Sequence, residues 1–162
     1  MLCPCGSDRA YSHCCLAIIL AEKSATSPEQ LMRSRYSAYA KKNAQYIYLT
    51  YATSSQAEQL IEDIEQWAEQ TQWLKLVIHH SSDYQKDLAN NNNAQVEFSA
   101  FYQYQGQLWQ MRERSNFVVE QGNWRYLDGE VSDSNELAKP KRNELCFCGS
   151  NKKFKQCCAK SF

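Results

Sequence analysis

The cysteines are the residues of this chain best suited to chemistry, and all eight of them lie near its two ends. Each end has the spacing C-x-C-x8-C-C, which places four thiols within a stretch of 13 residues. Four thiolates arranged as a tetrahedron around one ion are the ligands of a closed structural zinc site. The spacing therefore predicts one zinc ion at each end, two in all. The eight predicted ligands are Cys3, Cys5, Cys14, Cys15, Cys146, Cys148, Cys157 and Cys158.

The two groups of cysteines form an internal repeat, because each continues its second cysteine with Gly-Ser, at Gly6-Ser7 and at Gly149-Ser150. The glycine permits the tight turn that a C-x-C pair needs to hold one ion. We expect the serine to cap the short helical turn that follows it. An adjacent Cys-Cys pair needs a distorted backbone before both sulfurs can reach one metal. Disulfides and redox-active thiols are the alternatives, and zinc is preferred because cytosolic cysteines normally stay reduced.

Charge is segregated along the chain although its formal net charge is zero. Residues 24–50 carry +3, residues 51–138 carry −9 and residues 139–162 carry +6. Lys152, Lys153 and Lys155 lie between the cysteine pairs of the C-terminal group. These lysines either neutralise a zinc–thiolate cluster or form a docking surface for an acidic protein, the ribosome or an anionic lipid. A net charge of zero argues against coating of nucleic acid by bulk charge, and no specific nucleic-acid motif is found.

The C-terminal stretch Cys-Phe-Cys-Gly-Ser-Asn-Lys-Lys-Phe-Lys-Gln-Cys-Cys resembles the SEC-C motif, named after the C-terminus of the SecA translocase motor. The N-terminal group keeps the four cysteines, Gly6, Ser7 and an aromatic residue at Tyr11, but it lacks the lysines. The resemblance implies zinc binding at both ends. It also implies a protein partner, either an export chaperone of the SecB kind or the ribosome.

The elements that must position these groups lie between them. Ser27-Pro28-Glu29 is typical of a helix start, and a second amphipathic helix is predicted after Ser54-Ser55, with an apolar face that includes Leu60, Ile64 and Trp67. From Trp73 onwards the pattern becomes strand-like, with tight turns at Gln105-Gly106 and Gln121-Gly122. Residues 87–93 are predicted to form a loop. Helices followed by an antiparallel meander predict an α+β fold with the helices on one face of a curved sheet.

This order of elements resembles the NTF2-like fold, a cone closed over a central cavity. Three stretches, Met-Arg-Ser-Arg-Tyr at 32–36, Glu-Arg-Ser-Asn-Phe at 113–117 and Trp-Arg-Tyr-Leu-Asp-Gly at 124–129, together with SEC-C motifs at both ends, resemble the bacterial YchJ family. The predicted organisation is an N-terminal knuckle and helix (1–22), an NTF2-like domain (24–131), a linker (132–143) and a C-terminal knuckle (144–162). Because a linker precedes it, we expect the C-terminal knuckle to be held less firmly than the N-terminal one. Residues 16–20 should form a helix packed on the domain.

A cavity in the cone would bring polar side chains together. Glu113 shares a strand face with Trp109, Met111 and Phe117, so we expect it to point into the cavity, with Arg35 and Asp128 as possible partners. No catalytic motif accompanies them. The preferred hypothesis is therefore a non-enzymatic zinc protein whose knuckles dock onto a protein partner, with the cone as scaffold. The alternative is an NTF2-like enzyme or small-ligand binder that uses the cavity. No apolar run could span a membrane and no signal peptide is seen, so a cytoplasmic protein is expected.

Overall fold

A computed structural model describes residues 1–82 and 94–162, so the loop predicted at 87–93 lies outside the described residues. The helices precede a four-stranded antiparallel sheet, as predicted, and the α+β NTF2-like class is confirmed. The helices are α1 (Cys15–Ile19), α2 (Pro28–Ala40), α3 (Ala44–Leu49), α4 (Thr53–Gln56) and α5 (Ile61–Gln70). The strands are β1 (Thr71–Ser81), β2 (Ala94–Tyr104), β3 (Gln107–Glu120) and β4 (Asn123–Leu137). Short 3-10 helices cover Tyr11–His13, Phe154–Gln156 and Cys158–Ser161.

Helix α2 begins where the sequence predicted it. The Ser27 hydroxyl accepts a hydrogen bond from the Gln30 backbone N–H at 3.2 Å, and Pro28 takes the first helical position. The second amphipathic helix differs from the prediction because it divides into α4 and α5, which are separated by residues 57–60. Leu60 lies in this break and is 63% exposed, whereas Ile64 is buried and Trp67 faces the core.

The sheet has the strand order β1-β2-β3-β4, and every neighbouring pair is antiparallel. Gln105-Gly106 and Gln121-Gly122 form the two predicted turns, and all four residues have positive φ, which the two-residue turns of twisted hairpins require. The β1–β2 and β3–β4 pairings each contain two register shifts. Such irregularities bend a sheet, and here they curve it over α2.

The core fills the face of the sheet that carries α2, which we call the inner face. Leu31, Met32 and Tyr36 of α2 pack there against alternate residues of β2, among them Val96 and Phe98. Alternation along a strand sends Phe101 to the opposite, outer face. Among the described residues, no helix is long and apolar enough to cross a membrane.

The prediction of a linker at 132–143 is wrong for residues 132–137, which belong to a strand. Strand β4 continues to Leu137, which pairs with Leu108 of β3. The stretch Ser-Asp-Ser-Asn-Glu at 132–136 is polar because β4 is an edge strand whose end is exposed. Polar residues on an exposed edge cannot be told from a linker by composition, since neither buries apolar surface.

The N-terminal knuckle packs against α2. The Arg33 side chain donates a hydrogen bond from Nη1 to the Cys5 carbonyl at 2.8 Å and also pairs with Glu29 at 2.7 Å. The Cys3 sulfur lies 3.5 Å from the hydroxyl of Ser37, which is buried. The predicted helix after the knuckle is α1, and its Ile19 packs on the α3–α5 part of the core.

The C-terminal knuckle packs on the outer face of the sheet, so the expectation that it is held loosely is not supported. Phe101 is only 4% exposed, because Cys146, Cys148 and Phe154 cover it. The rings of Phe101 and Phe147 lie 5.3 Å apart between centroids. Composition alone could not predict this contact, which joins residues that are far apart in sequence. The two knuckles therefore both attach to the middle domain, one through α2 and the other through the outer face.

Candidate metal centres and central cavity

Each end of the chain brings its four cysteine sulfurs together, with all four sulfurs of a group within 4.8 Å of one another. In the N-terminal group, the Cys14 sulfur lies 3.8 Å from that of Cys5 and 3.9 Å from that of Cys15. In the C-terminal group, the Cys148 sulfur lies 3.6 Å from that of Cys146 and 3.5 Å from that of Cys157. None of the eight cysteines forms a disulfide.

The backbone explains how the N-terminal sulfurs converge. Leu2 and Ala10 form an antiparallel bridge, and the Cys3 N–H donates to the Arg9 carbonyl at 2.8 Å, so the loop closes on itself. Gly6 turns the chain with a φ of 75°, a conformation that costs a residue with a Cβ more than it costs glycine. The turn Tyr11–His13 then returns the second pair of cysteines to the first.

The C-terminal group repeats this loop structure, with every equivalent position shifted by 143 residues. Leu145 bridges Lys153, the Cys146 N–H donates to the Lys152 carbonyl at 2.8 Å, and Gly149 has a φ of 74°. The turn Phe154–Gln156 stands where Tyr11–His13 stands in the first group. Two segments that share a ligand spacing thus also share one loop structure.

The distortion predicted for an adjacent Cys-Cys pair is present in both groups. Cys14 has φ −120° and ψ −111°, and Cys157 has φ −128° and ψ −113°. These values lie outside the helical and extended regions of backbone conformation. This backbone conformation directs two neighbouring side chains to one centre.

The two serines of the repeat were expected to cap a helical turn, but they do not. The Ser7 hydroxyl instead lies 3.2 Å from the Cys14 sulfur, and the Ser150 hydroxyl lies 3.2 Å from the Cys157 sulfur. Neither following turn has a side-chain cap. Hydrogen bonds to a ligand sulfur stabilise the charge of the thiolate and orient it.

The acidity of the thiols follows from this crowding. Burial raises the pKa of Cys3 and of Cys146. A hydrogen bond between the Cys5 and Cys15 sulfurs lowers the pKa of Cys5 and raises that of Cys15. Burial opposes ionisation of Cys148, but hydrogen bonds from Ser150, Cys157 and Cys146 together outweigh it and lower the pKa of Cys148 to about 7. Cys5 and Cys148 thus ionise readily, and a bound cation would displace the protons of the thiols whose pKa is raised.

The distances fit a tetrahedral ion. Four sulfurs placed about 2.3 Å from one zinc ion lie about 3.8 Å from one another. The sulfur separations given above, 3.5–3.9 Å, match this edge length, and they are far longer than the about 2.05 Å of a disulfide. Each cluster could therefore hold one metal ion, since all four of its sulfurs lie within 4.8 Å of one another.

The three lysines singled out from the sequence surround the C-terminal cluster with exposed side chains. The backbones of Lys152 and Lys153 close the cluster loop, while their side chains have no ion-pair partner among the residues described. Leu145, the bridge partner of Lys153, is 66% exposed. An exposed leucine thus lies within a group of unpaired cations.

A cavity of about 310 Å³ lies between α2 and the inner face of the sheet and is partly open to solvent. Arg35 and Glu113 both line this cavity, together with a wall of tyrosine, tryptophan, phenylalanine and methionine side chains. Asp128 does not line it, which corrects the expectation that it joins them. Asp128 is exposed and accepts a hydrogen bond from the Asn116 side chain at 2.6 Å, because it lies where β4 leaves the core. His79 and His80 are exposed as well.

Arg35 is the most deeply buried charged side chain of the cavity wall, at 3% exposure. Its Nη1 donates to the Ile47 carbonyl at 2.8 Å and to the Thr50 hydroxyl at 2.7 Å. Its guanidinium carbon lies 4.4 Å and 4.5 Å from the ring centroids of Tyr51 and Tyr126, two rings that stand perpendicular to each other. Cation–π contact and hydrogen bonds offset the cost of burying this cation. The two tyrosines were not singled out from the sequence, because only their spatial relation to Arg35 gives them this role.

Glu113 is held in place by its neighbours. Its Oε1 accepts hydrogen bonds from the Ser115 hydroxyl at 2.6 Å and from the Tyr126 hydroxyl at 2.8 Å. The charge of Glu113 and burial together raise the pKa of Tyr126, burial having the larger effect. Gly129 makes room for the carboxyl group, since a Cβ at that position would lie 2.0 Å from Oε1. Glu113 and Arg35 thus share Tyr126 as a neighbour without forming an ion pair with each other.

Comparison with known proteins gives a consistent result. Residues 27–129 match the family described as "YchJ, middle NTF2-like domain", and residues 2–17 and 142–160 match the SEC-C motif. A UPF0225 protein of Vibrio vulnificus is 38% identical over 96% of this chain and 97% of its own length. A UPF0225 protein of Shewanella sp. is 40% identical over 98% of this chain and 96% of its own length.

Two solved structures are similar to this one. The solution structure of a SEC-C motif containing protein from Rhodopseudomonas palustris has a TM-score of 0.72 and 34% identity, and the match covers 82% of this chain and all of that one. The crystal structure of a SEC-C motif containing protein from Psychrobacter arcticus has a TM-score of 0.69 and 29% identity, and the match covers all of this chain and 97% of that one. Both are similar to this chain in fold, and both are described as containing the SEC-C motif, which matches the two ends of this chain.

Proposed function

Because this chain belongs to the YchJ family, with an NTF2-like middle domain between two SEC-C motifs, we propose that it is a non-enzymatic zinc protein that docks onto a protein partner. The observation that carries the first half of the proposal is the repeated cluster, in which the same loop presents four sulfurs twice. A set of four thiolates at tetrahedral spacing favours zinc over hard cations such as magnesium and calcium, which prefer oxygen ligands.

Each zinc ion serves a structural role in this proposal. A closed four-thiolate site leaves no open position for water or substrate, so it cannot act as a Lewis acid toward a bound molecule. The ion instead joins the short loop of each knuckle to the turn that follows it. Zinc also ties each knuckle to the domain, because Cys3 contacts Ser37 of α2 and Cys146 packs near Phe101 of β2.

Metal analysis tests the first half. We expect protein purified under reducing conditions to contain about two zinc ions per chain, since each cluster supplies one complete ligand set. Replacement of one ligand per cluster provides the matched pair of variants: Cys5→Ser and Cys148→Ser should each reduce the content to about one zinc ion. A preparation with no bound metal and eight freely titrating thiols would contradict the proposal, and so would iron or copper in place of zinc.

The second half of the proposal is supported by the surface around the C-terminal cluster. Leu145 is 66% exposed and lies beside Lys153, with Lys152 and Lys155 exposed nearby. A zinc ion with four thiolates has a formal charge of −2, yet the +6 carried by residues 139–162 leaves this end positive after it is loaded. An exposed apolar residue within a basic rim suits an acidic partner that offers an apolar pocket.

The N-terminal knuckle offers a natural control for this surface. Leu2 occupies the position equivalent to Leu145 and is 64% exposed, but Arg9 and Ala10 stand where the C-terminal knuckle has Lys152 and Lys153. The two knuckles thus share the apolar residue and differ in charge. By resemblance to the SecA tail, the proposed partners are an export chaperone of the SecB kind and the ribosome.

Binding of the zinc-loaded, full-length protein to purified chaperone and to purified ribosomes tests the docking role. We expect binding to one of them that weakens as salt is added, because exposed charges are screened. Leu145→Glu combined with charge reversal of Lys152, Lys153 and Lys155 should weaken it by at least about tenfold, since rim charges and a central apolar residue act together. Leu2→Glu is the matched control and should have little effect. Equal losses in both variants, or no binding to either partner, would count against docking through this surface.

A further inference from the structure

The central cavity contains hydrogen-bonding groups that have no partner among the described residues. The Arg35 guanidinium has five N–H donors, and the two bonds from its Nη1 leave three of them with no acceptor among residues 1–82 and 94–162. Arg35 is 97% buried and lines this cavity, so acceptors for these donors have to come from a molecule inside the cavity, either water or a ligand. Buried cations without full hydrogen bonding are costly, and they are typical of binding sites.

Glu113, on the same cavity wall, has a carboxylate oxygen that lacks a hydrogen-bond donor. Both of its hydrogen bonds, from Ser115 and Tyr126, go to Oε1, and no described residue donates to Oε2. The absence of Cβ at Gly129 leaves room for the carboxyl group in this position. The cavity therefore offers one unsatisfied acceptor beside unsatisfied donors, held by side chains that their neighbours fix in place.

The two groups do not satisfy each other, since Arg35 and Glu113 form no ion pair. A molecule that lies between them needs an acceptor for the guanidinium and a donor for the carboxyl group. A ligand with a single charge would face a like charge on this wall, which costs binding free energy in a partly desolvated site. A ligand of zero net charge avoids this penalty.

The rest of the wall indicates what the body of such a molecule should be. Trp67 and Trp73 lie edge to face with centroids 6.4 Å apart, and Phe98 and Met111 complete the apolar surface. Aromatic rings favour other aromatic rings in stacked or edge-to-face contact. The volume of about 310 Å³ is near the lower limit for small-molecule pockets, so it suits a compact ligand of one or two rings.

We propose that the cavity is a binding site for a small aromatic molecule of zero net charge that directs a hydrogen-bond donor to Glu113 and an acceptor to Arg35. This chemistry occurs in neutral amides and in zwitterions, and both present a donor and an acceptor close together. The site is separate from the two metal clusters and does not depend on docking. Its failure or success is therefore independent of the function proposed for the knuckles.

A set of matched probes tests this proposal on the zinc-loaded, full-length protein by ligand-observed NMR and isothermal titration. The probes are 2-naphthamide, which carries a donor and an acceptor, 2-naphthoate, which carries only acceptors, and 2-naphthylmethylammonium, which carries only donors. L-phenylalanine is the zwitterionic probe. We expect naphthamide or phenylalanine to bind at least about tenfold more tightly than either singly charged probe, the effect of about one satisfied hydrogen bond.

Three variants locate the binding. Met111→Trp should fill the cavity and abolish binding, and Glu113→Gln should weaken the best probe by about tenfold because the carboxylate acceptor becomes an amide. Glu97→Gln makes the same chemical change on the outer face, where Glu97 pairs with Arg112 at 2.8 Å, and it should leave binding unchanged. The proposal is overturned if no probe binds, if a singly charged probe binds as tightly as the neutral ones, or if Met111→Trp binds normally. The ranking of probes on the unaltered protein decides the matter even if a variant does not fold.

Discussion

Removal of metal by a chelator is expected to unfold both knuckles while the domain between them stays folded. Apart from their cysteines, the knuckles bury few apolar side chains, so the free energy that folds them must come largely from metal binding. Without an ion, each loop would have to keep four thiols crowded together, and burial raises the pKa of two of them. We expect hydrogen exchange measured by mass spectrometry to show complete loss of protection at residues 1–15 and 144–160.

The middle domain provides the internal reference for that experiment. Its core joins α2 to the inner face of the sheet through Leu31, Tyr36, Phe98 and Phe117, none of which needs a metal. Residues 28–40 and 94–120 should therefore keep most of their protection from hydrogen exchange. Addition of zinc after chelation should restore protection in the two knuckles. Cys5→Ser and Cys148→Ser should each release only their own knuckle, because the two clusters attach at different places. Uniform loss of protection along the chain would show that the metal supports the whole fold.

Replacement of Phe101 by alanine is expected to detach the C-terminal knuckle from the sheet and to lower the free energy of unfolding by about 3–5 kcal/mol, the range for a buried aromatic residue. Phe101 is 4% exposed and contacts Phe147 at 5.3 Å between ring centroids. The knuckle should still hold its metal, since no ligand is altered. Urea unfolding measures the stability, and hydrogen exchange at residues 144–160 measures the attachment.

A matched control for Phe101 lies on the edge of the same sheet. Val131 of β4 is 50% exposed, so Val131→Ala should change the free energy of unfolding by no more than about 0.5 kcal/mol. If Phe101→Ala lowered the free energy of unfolding no more than Val131→Ala does, the knuckle would have to be attached by something other than the aromatic contact. Loss of zinc from the C-terminal cluster in Phe101→Ala would mean that docking on the sheet is needed to form the metal site.

The metal ligands could be predicted from the sequence because they are close together along the chain. A C-x-C pair and an adjacent pair eight residues later can meet only if the intervening loop turns back, and the second copy of the spacing made chance a poor explanation. The bent backbone at Cys14 and Cys157 could be predicted from the same local constraint. The role of Ser7 and Ser150 could not, since a serine before a turn can either cap it or contact a sulfur, and only the position of Cys14 or Cys157 decides between these.

The long-range contacts were harder to predict. Alternation placed Phe98 on the inner face and left Phe101 on the outer one, but nothing near Phe101 in the sequence indicates that a segment 45 residues away covers it. The same limit applies to Arg35. Its place in a helix was predictable, whereas its contacts with Tyr51 and Tyr126 depend on how α3 and β4 meet. Asp128 was assigned wrongly because a turn-like Asp-Gly gives no information on which face of the sheet it leaves.

The exposed end of β4 has a consequence for the behaviour of the protein at high concentration. An edge strand with free backbone N–H and C=O groups is a template for pairing with a second sheet, and such pairing leads to aggregation. In this chain the outer part of β4 carries Asp128, Glu130, Asp133 and Glu136, all of them exposed. Two such edges brought side by side would place like charges opposite each other. The acidic composition that first resembled a linker thus opposes self-association of the sheet.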